Sequence, residues 1–263
     1  MDLQIRDKIA IVNGSSQGIG LAIARMLAAE GAKVVLTARR EPALNAAAET
    51  IRAETQASVL AIPADIRRAE DCARIVEGTV NHFGRVDILV NNDGAPPLGQ
   101  LEKFDDTAWD KAVQQNLMSV VRMARGVVPH MRDAGGGRIV NITALSVLQP
   151  MATFGLSVAT WAAVIGFAKT LSLEVGPYGI TVNTICPGRI ATPRLEKVYG
   201  QRPEHAGKDA NQLKEDLSKE TPLQRIGKPE DVAALVAFLV SSQASFITGV
   251  TIQIDGGRLG SIL

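Results

Sequence analysis

Seven short runs of β-branched and aliphatic residues recur along the chain, each followed by a stretch long enough for a helix. They are IAIV at 9–12, KVVLT at 33–37, SVLAI at 58–62, VDILV at 86–90, RIVNI at 138–142, ITVNTI at 180–185 and VTIQI at 250–254. Continuous apolar runs suit strands covered on both faces, and parallel neighbours need a crossover helix between them. The spacing therefore predicts an α/β chain: a single doubly wound, Rossmann-like sheet of about seven parallel strands flanked by helices. No repeat, charge run or Ser/Gly linker divides the 263 residues, so 1–263 reads as one domain. The stretch 193–222 breaks the rhythm. It is polar, carries Pro193, Gly200, Pro203 and Gly207, and suits either an irregular segment covering a site or a plain surface insertion.

The first unit, 9–38, reads as strand, glycine turn, helix, strand. Its turn holds Asn13, Gly14, Ser15, Ser16, Gln17, Gly18, Ile19 and Gly20. In that context Gly14 allows a tight turn, Gly18 lets backbone approach a pyrophosphate, and Gly20 permits close helix packing, while the helix N-terminus favours negative charge. The second strand ends in Thr37, Ala38, Arg39 and Arg40, with no acidic side chain to hold ribose hydroxyls. A guanidinium there matches a 2′-phosphate, which favours NADP(H) over NAD(H); the plain alternative is a pair of solvated arginines.

Composition narrows the partners. Lys+Arg 28 against Asp+Glu 27 gives a net charge of +1, which supplies no pull toward nucleic acid or an anionic membrane. The opening MDLQIRDKIA mixes charges with its apolar residues, and no uninterrupted apolar run reaches the ~18 residues of a membrane span, so a cytoplasmic protein acting on a small molecule is expected. Cys72 and Cys186 stand apart without metal-ligand spacing; they read as packed thiols, and no metal site is expected.

Together, NGSSQGIG at 13–20, Asp65 after the third strand, NNDG at 91–94, Asn116, PGRIAT at 187–192 and TGVTIQIDGG at 248–257 resemble the short-chain dehydrogenase/reductase family over nearly the whole chain. The resemblance implies that Asp65 and Ile66 flank the adenine, that Asn92 to Gly94 adjoin the ribose, and that Pro187, Gly188, Ile190 and Thr192 meet the nicotinamide. It also implies a homotetramer, with long helices at 105–134 and 153–176 and the C-terminal strand at its interfaces. Asn13 stands where the family usually has threonine, and Asp93 where it usually has alanine. Asp93 is either a recruited acid or base or a solvated carboxylate.

Family members use Asn, Ser, Tyr and Lys to move a proton while hydride is transferred. By the resemblance, Ala144 takes the serine position, Ser157 the tyrosine and Trp161 the lysine, leaving Asn116. Neither Tyr178 nor Tyr199 lies in this helix. Serine is a far weaker proton donor than phenol, whose pKa is ~10, and losing positioned acid–base help costs about 10²–10⁴ in rate. Candidates for a replacement relay are Asn116, Ser157, Ser146, Asp93 and Tyr199, with Thr143 and His205 behind them. Each has an ordinary packing or surface duty as its alternative, and His82, His130 and Tyr178 read as structural. Trp161 either displaces the nicotinamide end, stacks on a ligand, or fills vacated volume. Three functions stay open: an NADP(H)-dependent oxidoreductase with a non-standard relay, a non-redox lyase, isomerase or hydrolase, and a ligand-binding protein without turnover.

Overall fold

The computed structural model describes residues 2–92, 94–200 and 207–261. Its strands are β1 (Ile9–Asn13), β2 (Lys33–Ala38), β3 (Val59–Pro63), β4 (Ile88–Asn92), β5 (Gly137–Ile142), β6 (Ile180–Pro187) and β7 (Thr251–Ile254). All pair in parallel, in the spatial order β3-β2-β1-β4-β5-β6-β7. The expected seven runs are these seven strands, with bounds shifted by at most two residues.

The helices are α1 (Gly18–Ala29), α2 (Glu41–Thr55), α3 (Ala69–Phe83), α4 (Asp106–Ala112), α5 (Ser119–Asp133), α6 (Gly155–Val175), α7 (Pro193–Tyr199), α8 (Ala210–Lys219) and α9 (Pro229–Val240). Successive strand side chains feed opposite cores, as the pleat requires. Ala10, Val12, Val34 and Leu36 join Ile23 and Leu27 of α1 and Val236 of α9 in one buried cluster. Ile11 and Val35 join Ile75 of α3 and Met123 of α5 in the other. Each fully buried aliphatic side chain of this size stabilises the fold by roughly 1.5–3 kcal/mol, which explains why these strands tolerate so few polar residues away from their C-terminal ends.

Strand order reverses between β1 and β4, and such a switch point leaves a crevice beyond the strand C-termini. Two expectations need correction around it. The stretch 105–134 is not one helix: a π-helical segment, Val113–Met118, separates α4 from α5 and sets the rotation at which Asn116 leaves the helix. Nor are the described parts of 193–222 irregular: they hold α7 and α8. Thr192 caps α7 by accepting from the Leu195 amide, with Pro193 at the first turn, and Asp209 with Gln212 forms a capping box that starts α8.

α6 is long and apolar enough, by length and composition, to cross a membrane. Here it packs along the sheet beside β6, burying Leu156, Val164, Ala168 and Val175 on one stripe.

Candidate active site

The turn between β1 and α1 is locked from three sides. Gly14 adopts φ +63, and a Cβ there would overlap the Asn92 backbone and lie 3.0 Å from its Nδ2; Gly20 lies so close to the Gly14 carbonyl that a Cβ would collide with it. Asn92 Nδ2 donates to the carbonyls of Asn13 and Gly14, both at 3.3 Å. From β2, the Thr37 amide donates to Ser15 Oγ at 3.0 Å, and the Ser15 amide returns a bond to the Thr37 carbonyl at 3.1 Å. The close packing read for Gly20 is therefore against the turn itself and the end of β4.

Asn13 has a cross-sheet task. Its Oδ1 accepts from Thr37 Oγ1 at 2.9 Å and its Nδ2 donates to Asn91 Oδ1 at 3.1 Å, while Asn91 Nδ2 donates to Asn141 Oδ1 at 2.9 Å. Four buried polar side chains thus tie β2, β1, β4 and β5 together at their C-terminal ends. The Asn13 amide both donates and accepts along this line.

Beyond this turn lies a cleft of about 620 Å³ lined by Gly14, Ser16, Gln17, Arg39, Arg40, Asp65, Ile66, Asn92 and Gly94. The α1 N-terminus carries no side-chain cap and no acidic residue in its first turn, which leaves amide donors for an anion. Arg40 Nη2 donates to Gln17 Oε1 at 3.3 Å, and Arg39 and Arg40 are both exposed. Asp65 accepts from Arg67 Nε at 2.8 and 3.0 Å; this side-chain bond, with help from the Arg67 amide and from the charges of Arg67 and Arg39, holds its carboxyl below the usual range despite partial burial. Gln115, which the sequence did not single out, also lines the cleft and donates to the Gly94 carbonyl at 2.6 Å.

A second, narrower cleft of about 150 Å³ continues from Asn92. Ile19, Pro187, Gly188, Ile190 and Thr192 line it together with Ser146, Ser157, Trp161 and Tyr199. Gly18 lines neither cleft; its φ of +60 shapes the turn, and a Cβ there would touch the Thr192 methyl at 3.4 Å. The structure thus brings Ser146, Ser157 and Tyr199 into one space. Ser146 Oγ and Ser157 Oγ are buried and lack a hydrogen-bonding partner, a costly state unless a ligand completes it.

The remaining candidates are placed differently, although Thr143 and Trp161 also line the narrow cleft. Asn116 lines neither cleft: it is 1 % exposed, its Nδ2 donates to Thr160 Oγ1 at 2.8 Å, and its Oδ1 is buried without a partner. Thr143 is committed to the Ile185 carbonyl at 3.2 Å and to Cys186 Sγ at 3.1 Å, and burial pushes that thiol up. Tyr178 lies outside both clefts with the Arg132 guanidinium 3.9 Å from its ring centroid. Asp93 and His205 lie outside the described residues. Trp161, 7 % exposed, packs with Val120 and Val164, so the indole fills volume and presents part of itself to the cleft. Among the described residues lining this cleft there is no lysine, aspartate, glutamate or histidine, and the one tyrosine is Tyr199.

A parallel sheet with this order and a glycine turn at its switch point define a doubly wound, Rossmann-like α/β protein. The chain belongs to the short-chain dehydrogenase/reductase family: the family model described as enoyl-(acyl carrier protein) reductase matches residues 14–258. Among curated relatives, it is 34% identical over 254 residues to dehydrogenase/reductase SDR family member 4 of Oryctolagus cuniculus, covering 96% of this chain and 94% of that protein. Among solved structures, L-sorbose reductase from Gluconobacter frateurii, in complex with NADPH and L-sorbose, superposes with a TM-score of 0.95 at 36% identity over 100% of both chains. An actinorhodin polyketide ketoreductase with NADPH gives 0.91 at 32% identity over 97% of this chain and 98% of that one. The chain is accordingly an oxidoreductase of this family by descent.

Proposed function

We propose that this protein is an NADP(H)-dependent oxidoreductase that interconverts a small carbonyl compound and its alcohol, with Tyr199 leading a non-standard proton relay. The observation that carries this reading is the meeting of Ser146, Ser157 and Tyr199 in the narrow cleft that continues from the glycine-lined one. The two solved relatives in complex with NADPH support the cofactor.

The residues present fit that cofactor. Gly14, Ser16, Gln17 and the α1 N-terminus would hold its pyrophosphate, Asp65, Ile66 and Asn92 the adenosine side, Arg39 with Arg40 the 2′-phosphate, and Pro187, Gly188, Ile190 and Thr192 the nicotinamide end. When bound, it supplies or accepts the hydride. Ser146 and Ser157 hold the substrate oxygen through the hydroxyls that lack partners in the free protein. Tyr199, a phenol, donates to the same oxygen from the α7 side, where serine alone is too weak an acid. Asn116 acts through Thr160 as a positioning residue, fixing the α6 turn that carries Ser157. α7 covers the site, with Leu195 and Val198 excluding water from it, and Leu213 and Leu217 of α8 back it by packing on Leu195 and Tyr199.

Assembly of identical chains fits the outer surface. Leu173 of α6 is 70% exposed and Phe246 fully exposed, and Lys169 Nζ joins these regions by donating to the Gly249 carbonyl at 3.1 Å. We assign this face to contacts within a homotetramer, which sedimentation would reveal.

Titration with NADPH and with NADH, followed by ligand fluorescence and melting temperature, tests the cofactor assignment, because selective binding to the native state raises the melting point. NADPH is expected to bind more tightly than NADH and to be oxidised by members of a carbonyl panel. Binding without any hydride transfer would move the protein to the ligand-binding reading, and no binding of either nucleotide would leave only non-redox chemistry.

A further inference from the structure

The mouth of the narrow cleft carries a positive charge that no described lining residue neutralises. Four described arginines lie between 189 and 258. Arg189 and Arg258 both reach Glu220, and Arg225 reaches Asp231. Arg194, on the first turn of α7, lines the narrow cleft and has neither an ion pair nor a hydrogen bond. It keeps solvent exposure at the mouth, yet its surroundings remove enough water to lower its pKa from the ordinary arginine value.

A second guanidinium strengthens the field from behind. Arg189 is 6 % exposed, its Cζ lies 4.2 Å from the Tyr199 ring centroid, and its Nε and Nη1 are buried without partners. Glu220 is shared between Arg189 and Arg258, and the Asp255 carboxylate is occupied by the amides of Gly257 at 2.9 Å and Leu259 at 2.7 Å. With no carboxylate among the described lining residues, this end of the cleft is cationic beside two hydroxyls awaiting a partner. The space, about 150 Å³, is on the scale of a benzene-sized guest, so the complement is a small molecule.

We propose that Arg194 pairs with a carboxylate on the substrate, so that the protein acts on small oxo acids and the matching hydroxy acids. The pairing rests on the oxidoreductase reading above and narrows its substrate class. In the reducing direction the carbonyl carbon would take hydride from bound NADPH, a C–H bond forming as the C=O π bond breaks, and the oxygen would take the Tyr199 proton, which solvent replaces. NADPH is oxidised and the oxo acid becomes a hydroxy acid. A single planar guanidinium matches one carboxylate in forked geometry, whereas a phosphate dianion brings twice the charge for that one partner.

Binding of butyrate, butyramide and propyl phosphate, measured by calorimetry with and without NADP⁺, separates this claim from catalysis. Wild type is expected to prefer butyrate over butyramide by about tenfold or more, as a charge-assisted bond implies. Arg194→Gln should erase the preference with an unchanged melting profile, and Arg194→Lys should keep part of it. Equal affinity for acid and amide, a preference that survives Arg194→Gln, or no butyrate binding at millimolar concentration would overturn the proposal; tighter binding of propyl phosphate would overturn the carboxylate assignment. Butyrate selectivity in a protein that neither binds nor oxidises NADPH would instead sink the oxidoreductase reading while leaving the anion site in place.

Discussion

The two clefts of this molecule are built on different principles. In the wide cleft the backbone does the shaping: Gly14 and Gly20 leave no room for a side chain, and Asn92 and Ser15 bond the turn into a fixed form. In the narrow cleft side chains do it, and two of its hydroxyls are left without partners. A site preorganised by backbone binds one kind of group and tolerates little change. A site formed by side chains on several elements can change its chemistry while the fold stays as it was.

The contrast can be broken first at Gly14. Gly14→Ala forces a Cβ into a left-handed position against the Asn92 backbone, at a cost of roughly 1–3 kcal/mol. NADPH-induced stabilisation should vanish while the melting transition remains cooperative and falls by a few degrees. An undiminished NADPH shift in a thermal scan would show that the cradle is not built as described.

Arg39→Ala comes next in size. Loss of a charge-assisted contact to a 2′-phosphate should weaken NADPH by about 10–100-fold and leave NADH nearly unchanged, as read by fluorescence titration. Equal loss for both nucleotides would place Arg39 elsewhere.

The smallest effect concerns Asp65 and Arg67. The folded carboxyl lies below its ordinary value of 3.8, first through the Arg67 side-chain bond, so the pair stabilises the protein above that value and loses its effect as pH falls through the folded one. The pair is partly exposed, so Arg67→Ala should cost only about 0.5 kcal/mol near neutral pH. Urea unfolding at two pH values checks this: the difference between variant and wild type should disappear in strong acid and persist at neutral pH.

The same contrast decides what the sequence disclosed. Strands and turn were legible because their constraints are local: a doubly covered strand needs an unbroken apolar run, and the turn needs glycine where φ is positive or backbones touch. The π-helical segment was not, since Val113–Met118 uses residue types that an ordinary helix also uses. α7 and α8 were hidden by the prolines and glycines of 193–207, although Thr192 before Pro193 and Asp209 three residues before Gln212 were readable as starts. In the narrow cleft, Ser146, Ser157 and Tyr199 could be named as hydroxyls, but the sequence alone did not show that they face one space or that Asn116 turns away to Thr160. Arg194 was missed because its meaning lies in the partner it lacks.

Under the proposed relay, Tyr199 is the proton donor of the narrow cleft. Steady-state NADPH oxidation by wild type and Tyr199→Phe, with Ser157→Ala alongside, tests it most directly. Tyr199→Phe is expected to lower kcat by about 10²–10⁴ with NADPH affinity unchanged, and Ser157→Ala to cost less. A Tyr199→Phe variant that turns over as fast as wild type would contradict it.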